Sequence, residues 1–400
     1  MLSEEVEEKL ARILVDRIEE INTSILEQIG DAIKRISNLT PSQAYQLAQI
    51  LKYGGSYEKI AKELARFSGK NIEDIYKIFE YVASENKDFA KRFYKYRGID
   101  FVPYKKDTAL QNLVQSIGNV AIRDYMNISR TTGIGFVFED KDGQMYFKNI
   151  RQTYDEIIDR AVISISQGKQ TYYQEMRRIM TDLGNSGLVM YESGRTRRLD
   201  SAVRMNMLDG IRQVSIETGR RFGAEYGADG VEISVHTNPA PDHQDIQGRQ
   251  FRNEEYDKLR NKQEAVDTKG RKYNGADMRE IGTLNCYHTE FPIIIGISKP
   301  QYTDEELEKI KEDNEKGFVF EGKHYTNYEG TQLQRKLELE IRKAKDKQIL
   351  GKASGDTELI QESQDRISKL TNKYKELVNT SGLKSQLQRA RVSGYRRMKV

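Results

Sequence analysis

One cysteine among 400 residues, Cys286, cannot close an internal disulfide, so the fold does not depend on oxidation and suits a reducing cytoplasm. Long apolar runs are missing as well, and no stretch approaches the ~20 residues that a membrane-spanning helix needs. The opening Met-Leu-Ser-Glu-Glu-Val-Glu-Glu is acidic where a signal peptide is basic, which speaks against secretion. Net charge is almost absent: 65 basic against 61 acidic residues leave +4, too little for a global field, so any nucleic-acid contact has to come from local clusters. Nucleophile elbow, phosphate loop and paired-carboxylate motif are all lacking, and with them the usual sequence signs of an enzyme. No internal repeat and no low-complexity segment is visible.

What remains is polar and helical. Hydrophobic residues make up 37% and charged residues 32% of the chain, a balance that gives thin cores and much helix surface open to water or partners. The length predicts two or three folding units. Motif changes divide the chain into a helical region with a hairpin (1–150), a core with a small α+β module (151–300), and a hairpin followed by a C-terminal helical arm (301–400). The expected class is mainly α with a small α+β module.

Val6, Leu10, Leu14, Ile18, Ile21, Ile25, Ile29, Ile33 and Ile36 recur at steps of three and four, the stripe of one long amphipathic helix. Thr40-Pro41-Ser42-Gln43 has the form of a capping box and starts a helix expected to end near Gly54-Gly55. Helical patterns over 57–67 and 72–84 are separated by Ser68-Gly69-Lys70, read as a break. Strand patterns flanking Asp142-Gly143 predict a hairpin between Gly133 and Phe147, and those flanking Glu321-Gly322 predict another from Gly317 to Tyr325. Helical periodicity runs from Tyr154 through Met180 and from Leu199 to Thr218. Val231–His236 alternates as a half-buried strand should, with Phe291–Ile297 as its candidate partner. Two helices separated by Gly351–Gly355 follow Gln332, and Arg389, Arg391, Arg396, Arg397 and Lys399 read as a basic tail.

Three of the four histidines and the cysteine fall into one short stretch: His236, His243, Cys286 and His288. Imidazole nitrogen and thiolate sulfur are what Zn²⁺ prefers in a tetrahedron, and two ligand pairs from separate segments are the usual structural site. The spacing is atypical, because Cys-x-His is tight and His-x6-His is wide. With four protein ligands the site would be closed and structural. The alternative is that His236 ends a strand, His243 caps a helix with Asp242, and Cys286 is a small buried hydrophobe. Enzymatic arrangements can also be drawn: His243 as general base oriented by Asp242 or Asp245 with Cys286 as nucleophile, or a metal-dependent nuclease using His236, His243, Asn285 and His288.

Arg195, Arg197, Arg198, Arg204, Arg212, Arg220 and Arg221 lie on or beside the Leu199 helix. No acid interrupts the run from Arg195 to Arg198, so Arg195, Arg197, Arg198 and Arg204 are candidate contacts to a partner or to nucleic acid, against the alternative of a solvated helix face.

Two stretches together carry a family resemblance. Ser193-Gly194-Arg195-Thr196-Arg197-Arg198-Leu199-Asp200-Ser201-Ala202-Val203-Arg204 is the first. The second is His236-Thr237-Asn238-Pro239-Ala240-Pro241-Asp242-His243-Gln244-Asp245-Ile246-Gln247-Gly248, closed by Asn285-Cys286-Tyr287-His288. In this order they resemble the phage minor capsid protein 2 family, part of the wider group of tailed-phage minor head proteins related to the F protein of phage Mu. Tyr287 stands where an arginine is expected, and Ile246 where an aromatic residue is. The resemblance implies a virion protein made in the bacterial host cytoplasm and placed in the phage head at the portal vertex. Portal and capsid proteins, and packaged DNA, are the partners it implies, with a role in head assembly or in DNA packaging and ejection. It brings no catalytic residues. It strengthens Zn²⁺ as a structural cofactor at His236, His243, Cys286 and His288, while a metal-dependent nuclease or a DNA-binding scaffold are the alternatives.

Overall fold

The computed structural model describes residues 2–395 apart from 54–55, 129–132, 141, 193–194 and 277. In chain order, the N-terminal helices are α1 (Glu4–Ser37), α2 (Pro41–Tyr53), α3 (Ser56–Arg97) and α4 (Thr108–Ile128). The strands β1 (Ile134–Glu139) and β2 (Met145–Asn149) follow, then α5 (Ile150–Gln167) and α6 (Lys169–Ser186), then β3 (Val189–Glu192), β4 (Arg195–Arg198) and α7 (Leu199–Tyr226). Next come β5 (Gly230–Ile233), α8 (Pro241–Gln244), β6 (Gln250–Arg252), α9 (Asn253–Arg260), β7 (Glu264–Val266), β8 (Lys272–Asn274) and β9 (Glu290–Ile293). The chain closes with α10 (Asp304–Lys316), β10 (Phe318–Phe320), β11 (Lys323–Tyr325), α11 (Asn327–Ser354) and α12 (Thr357–Ser381). The mainly helical class with small sheets is as the sequence indicates, and no described helix is long and apolar enough to cross a membrane.

Most boundaries follow local chemistry. The stripe from Leu14 to Ile36 is the buried face of α1. The Thr40 hydroxyl accepts from the Gln43 backbone at 3.4 Å while the Gln43 amide oxygen accepts from the Thr40 N–H at 3.1 Å, closing the capping box ahead of α2. Both predicted hairpins form, β1 with β2 and β10 with β11. The two C-terminal helices form on either side of the 355–356 turn.

Other boundaries differ. α3 runs unbroken through Ser68-Gly69-Lys70, because a single glycine costs only about 1 kcal/mol against alanine, too little to stop a long amphipathic helix. The Tyr154–Met180 periodicity is two helices parted at Gly168, whose φ of +125° no helix accommodates. β5 ends at Ile233, short of His236. Arg195–Arg198 is a strand rather than the start of the Leu199 helix. The basic tail is in part a packed strap, since Ala390, Val392 and Ser393 are buried; Arg396, Arg397 and Lys399 lie outside the described residues, as do Gly54 and Gly55.

The chain packs as two compact units, one of Met1–Ala11, Ile72–Arg123 and Met205–Gln332, the other of Arg12–Asn71, Asp124–Arg204 and Leu333–Val400. The first holds the sheet β6-β5-β9 and the ribbon β7-β8. β9 pairs antiparallel with β5, as the alternation in Val231–His236 and the run from Phe291 led us to expect. Ile216 of α7 joins Val231, Ile233, Ile246, Phe251, Tyr256, Leu259, Ala265, Met278, Ile281 and Cys286 in one core. The same unit buries Lys87 of α3 against Asp107 at 3.0 Å, among the rings of Tyr94, Phe101 and Phe222.

The second unit carries the sheet β2-β1-β3-β4, packed on α5 and α6. Its C-terminal helices are built in. Gly30 of α1 sits so close to α11 that an added Cβ would lie 2.5 Å from the Ala353 Cβ, and Asn22 of α1 donates to the Asp346 carboxylate at 3.1 Å. The strap is tied to α1, where Ser393 N donates to Glu19 at 2.8 Å and the Thr23 hydroxyl donates to the Ser393 carbonyl at 3.0 Å.

Candidate metal centre

His243 rides on α8, a single turn begun by Pro241, where a fixed φ suits the first helical position. Cys286 closes a turn by donating its N–H to the Thr283 carbonyl at 2.8 Å. That turn places two consecutive non-glycine residues, Leu284 and Asn285, at φ of 52° and 64°, a conformation that side chains disfavour. Asp209 of α7 holds it by accepting the Leu284 N–H at 3.1 Å. His288 follows on the strand-like approach to β9.

These elements bring three donor atoms together. The Cys286 sulfur lies 3.3 Å from His243 Nδ1 and 3.4 Å from His288 Nδ1, and the ligand atoms of the group lie within 4.8 Å of one another. Zn–S and Zn–N bonds of about 2.3 and 2.0 Å at a tetrahedral angle put sulfur and nitrogen about 3.5 Å apart, within a few tenths of an ångström of both distances. All three side chains are buried. This group can hold a metal ion.

The far nitrogens support that chemistry. His243 Nε2 lies 2.9 Å from the Arg279 carbonyl, which accepts only, so the proton belongs on Nε2 and the Nδ1 lone pair faces the sulfur. His288 Nε2 is 3.1 Å from the Gln247 Oε1, which also accepts the His236 N–H at 2.9 Å, giving His288 the same tautomer. Burial holds both imidazoles below their usual range and therefore neutral, the form that ligates, and burial pushes the Cys286 thiol up. Arg279 is itself fixed by Asp242 through side-chain bonds of 2.8 Å and a backbone bond of 3.1 Å. Burial alone would raise the Asp242 carboxyl, but Arg279 outweighs it and brings the carboxyl down to about 2.

His236 stands beside the group without joining it. Its ring is edge-on to that of His288 at 4.6 Å between centroids, and its Nε2 is buried with no hydrogen-bond partner among the described residues. Gln247 and Arg279 were not legible as participants; the Gln-Gly pair at 247–248 was the only signal for the first, and nothing in the sequence marks the second. Of the acid-base arrangement drawn from sequence, the Cys286 sulfur and His243 Nδ1 stand 3.3 Å apart, with both carboxylates engaged elsewhere. Asp242 is engaged by Arg279 and lies 3.6 Å from His243, Asp245 pairs with Lys311 at 2.9 Å, and the Cys286 thiol is buried.

The arginines separate by face. Arg198 turns inward to Asp200 and Asp346 at 3.2 and 3.0 Å, which ties it to its own unit instead of to a partner. Arg212, Arg220 and Arg221 likewise meet Glu7, Glu290 and Asp107. Arg195 and Arg197 lie on the edge strand β4, with Arg197 exposed, and Arg204 is half-buried on α7.

The sequence profile of a family described as phage minor capsid protein 2 matches residues 3–379, nearly the whole chain, and the chain belongs to that family. No curated protein and no solved structure matches it. It is a component of the phage virion, among capsid partners.

Proposed function

We propose that this member of the phage minor capsid protein 2 family is a non-enzymatic structural part of the head, associated with the portal vertex and acting in head assembly or in DNA packaging and ejection. The observation that carries it is the family match over residues 3–379. The metal group supports the same reading. Its ligand atoms are buried, both histidines are locked by acceptors, and the strained Leu284-Asn285 turn is held by the module around it. A Zn²⁺ ion there would staple the β5–β9 segment to the α8 loop, with His243, Cys286 and His288 as ligands and the unpartnered His236 Nε2 as the fourth. Arg195, Arg197 and Arg204 serve partner contact in this reading, and Arg198 serves the interior.

The test is particle composition. Phage carrying a tagged copy should yield heads that contain the chain in few copies and release it together with portal protein on mild disruption. Heads that lack the chain, or deletion phage that assemble, package and infect at wild-type levels, would sink the proposal. Cleavage of DNA by the purified chain, lost in His243→Ala with folding intact, would replace it by the nuclease alternative.

A further inference from the structure

We propose that the C-terminal end of α3 and the loop after it form a nucleic-acid contact surface that grips the phosphate backbone irrespective of sequence. It rests on the virion reading only for which polyanion is at hand, and it lies apart from the arginines singled out above.

The near-neutral balance of the whole chain hides this segment. Residues 91–106 contain Lys91, Arg92, Lys95, Arg97, Lys105 and Lys106 against the single acid Asp100, six minus one, or +5, more than the +4 of the entire protein. The structure folds this charge into one place. Gly98 turns the chain at φ +65°, Ile99 N–H bonds back to the Tyr94 carbonyl at 3.0 Å, and the Phe101 ring packs edge-on against Tyr94 at 5.6 Å. The Lys91 ammonium lies 5.5 Å from the Phe101 centroid, so loop and helix share a surface.

Packing explains why the positive charge stays outside. Of the nearby carboxylates, Asp107 is drawn inward by Lys87 and Arg221, and Glu225, which stays at the surface, is engaged by Arg221 and the Tyr94 hydroxyl, while Asp88 and Asp100 remain exposed among the cations. Lys91, Lys95, Arg97, Lys105 and Lys106 are exposed, and none takes part in an ion pair among the described residues. Beside them α3 presents Phe89 and Phe93, 43% and 42% exposed with ring centroids 6.1 Å apart. Cations that reach phosphates, next to rings on which a base can stack, are the composition of a sequence-tolerant nucleic-acid surface. A lipid surface fits less well. The continuous stripe of this helix, through Lys87, Ala90 and Tyr94, is buried, and on the outer face Phe89 and Phe93 are interrupted by Asp88, Lys91 and Lys95, too broken a surface for the apolar face of an interfacial helix.

The test uses the full chain and fluorescein-labelled mixed-sequence oligonucleotides, read by anisotropy from 50 to 200 mM KCl. Five phosphate contacts give a log-log slope of about −4.5, so duplex affinity should fall about 500-fold over that range. A variant with Lys91, Lys95, Lys105 and Lys106 each changed to Gln, all exposed positions, should keep its circular dichroism and fall only about 4-fold. Phe89→Ala should weaken single-strand binding about tenfold while leaving duplex binding nearly unchanged. A salt-insensitive affinity, an unchanged slope in the fourfold variant, or binding to phosphatidylserine vesicles without binding to oligonucleotide would overturn the proposal. Incorporation of the wild-type chain into heads, measured beside its oligonucleotide binding, separates the two ideas, because a wild-type chain that enters heads but binds no DNA fails here and leaves the virion role standing.

Discussion

Arg198 and Asp346 give the sharpest test of how the second unit is held. The buried cluster has two cations and two anions. Arg198 reaches Asp200 at 3.2 Å and Asp346 at 3.0 Å, Arg342 reaches Asp200 at 2.6 Å, and Asn22 donates to Asp346 at 3.1 Å. The carboxylates are not equivalent. Burial would raise Asp200, but Arg198, Arg342 and Ser201 outweigh it and hold it well below the usual range, whereas Asp346, fully buried and close to Asp200, is pushed up by burial despite Arg198. Arg198→Met removes the guanidinium paired with Asp346 and strands a buried charge, which should cost about 3–5 kcal/mol. Asp346→Asn alone keeps an acceptor for Asn22 but leaves two guanidinium groups sharing Asp200, at about 1–3 kcal/mol. In the Arg198→Met background the same change removes the stranded charge, so it should stabilise. The coupling in the cycle should then reach about 2 kcal/mol or more. Urea unfolding followed by tyrosine fluorescence suits a chain with 23 tyrosines and no tryptophan, with hydrogen exchange of peptides covering Asn22, Arg198 and Asp346 assigning the loss to this unit. The penalty of Arg198→Met should also shrink as pH falls, because Asp346 can then take up a proton. Equal destabilisation by Asp346→Asn in both backgrounds would refute the coupled pair.

Glu19 is raised to about 7, by burial first and by Asp200, against the opposing Arg12, Ser393 N–H and Arg342. A folded pKa above the unfolded 4.5 means that its contribution is fully present below about 4.5 and lost as pH rises through about 7. Glu19→Gln should therefore stabilise the chain by about 1–3 kcal/mol at pH 8 and not at pH 4.5, checked by denaturation at both. Gly30→Val should cost about 1–3 kcal/mol in the same assay, since even a Cβ there meets Ala353 at 2.5 Å and the Leu350 carbonyl at 3.1 Å, and a larger group must part α1 from α11. For the metal group, purified protein should hold one zinc per chain. Cys286→Ser and His288→Ala should each abolish it and lower the melting temperature, while His236→Ala should weaken affinity without abolishing binding; metal-free wild type melting identically with and without added zinc would count against the site.

Elements that depend on near neighbours were legible. The α1 stripe, the Thr40 capping box, both hairpins and the pairing of β5 with β9 follow from periods and turn residues a few positions apart. Where the sequence misled, the deciding partner was distant or the signal too weak. Gly69 looks like a break because a glycine is conspicuous, yet its cost is small against the propagation of a long helix. Arg198 looks like a surface cation because its neighbours Arg195 and Arg197 are basic, and Asp346, 148 positions away, joins the adjacent Asp200 in turning it inward.

The same logic separates the two candidate sites. The metal group could be found in the sequence because its residue types are scarce: one cysteine and three of four histidines in one stretch stand out in any composition. Even so, spacing named four ligands, whereas the fold gathers His243, Cys286 and His288 and sets His236 to one side, with Arg279 and Gln247 fixing two imidazoles while His236 Nε2 has no hydrogen-bond partner among the described residues. The surface at the end of α3 was hidden for the opposite reason. Lysine, arginine, aspartate and glutamate are common throughout, so a balanced total conceals a segment of one sign until the structure shows which carboxylates are spent inside. Counting charge along a chain is therefore a poor guide to its field; counting it after subtracting the pairs that folding buries exposes the cations left to meet a polyanion.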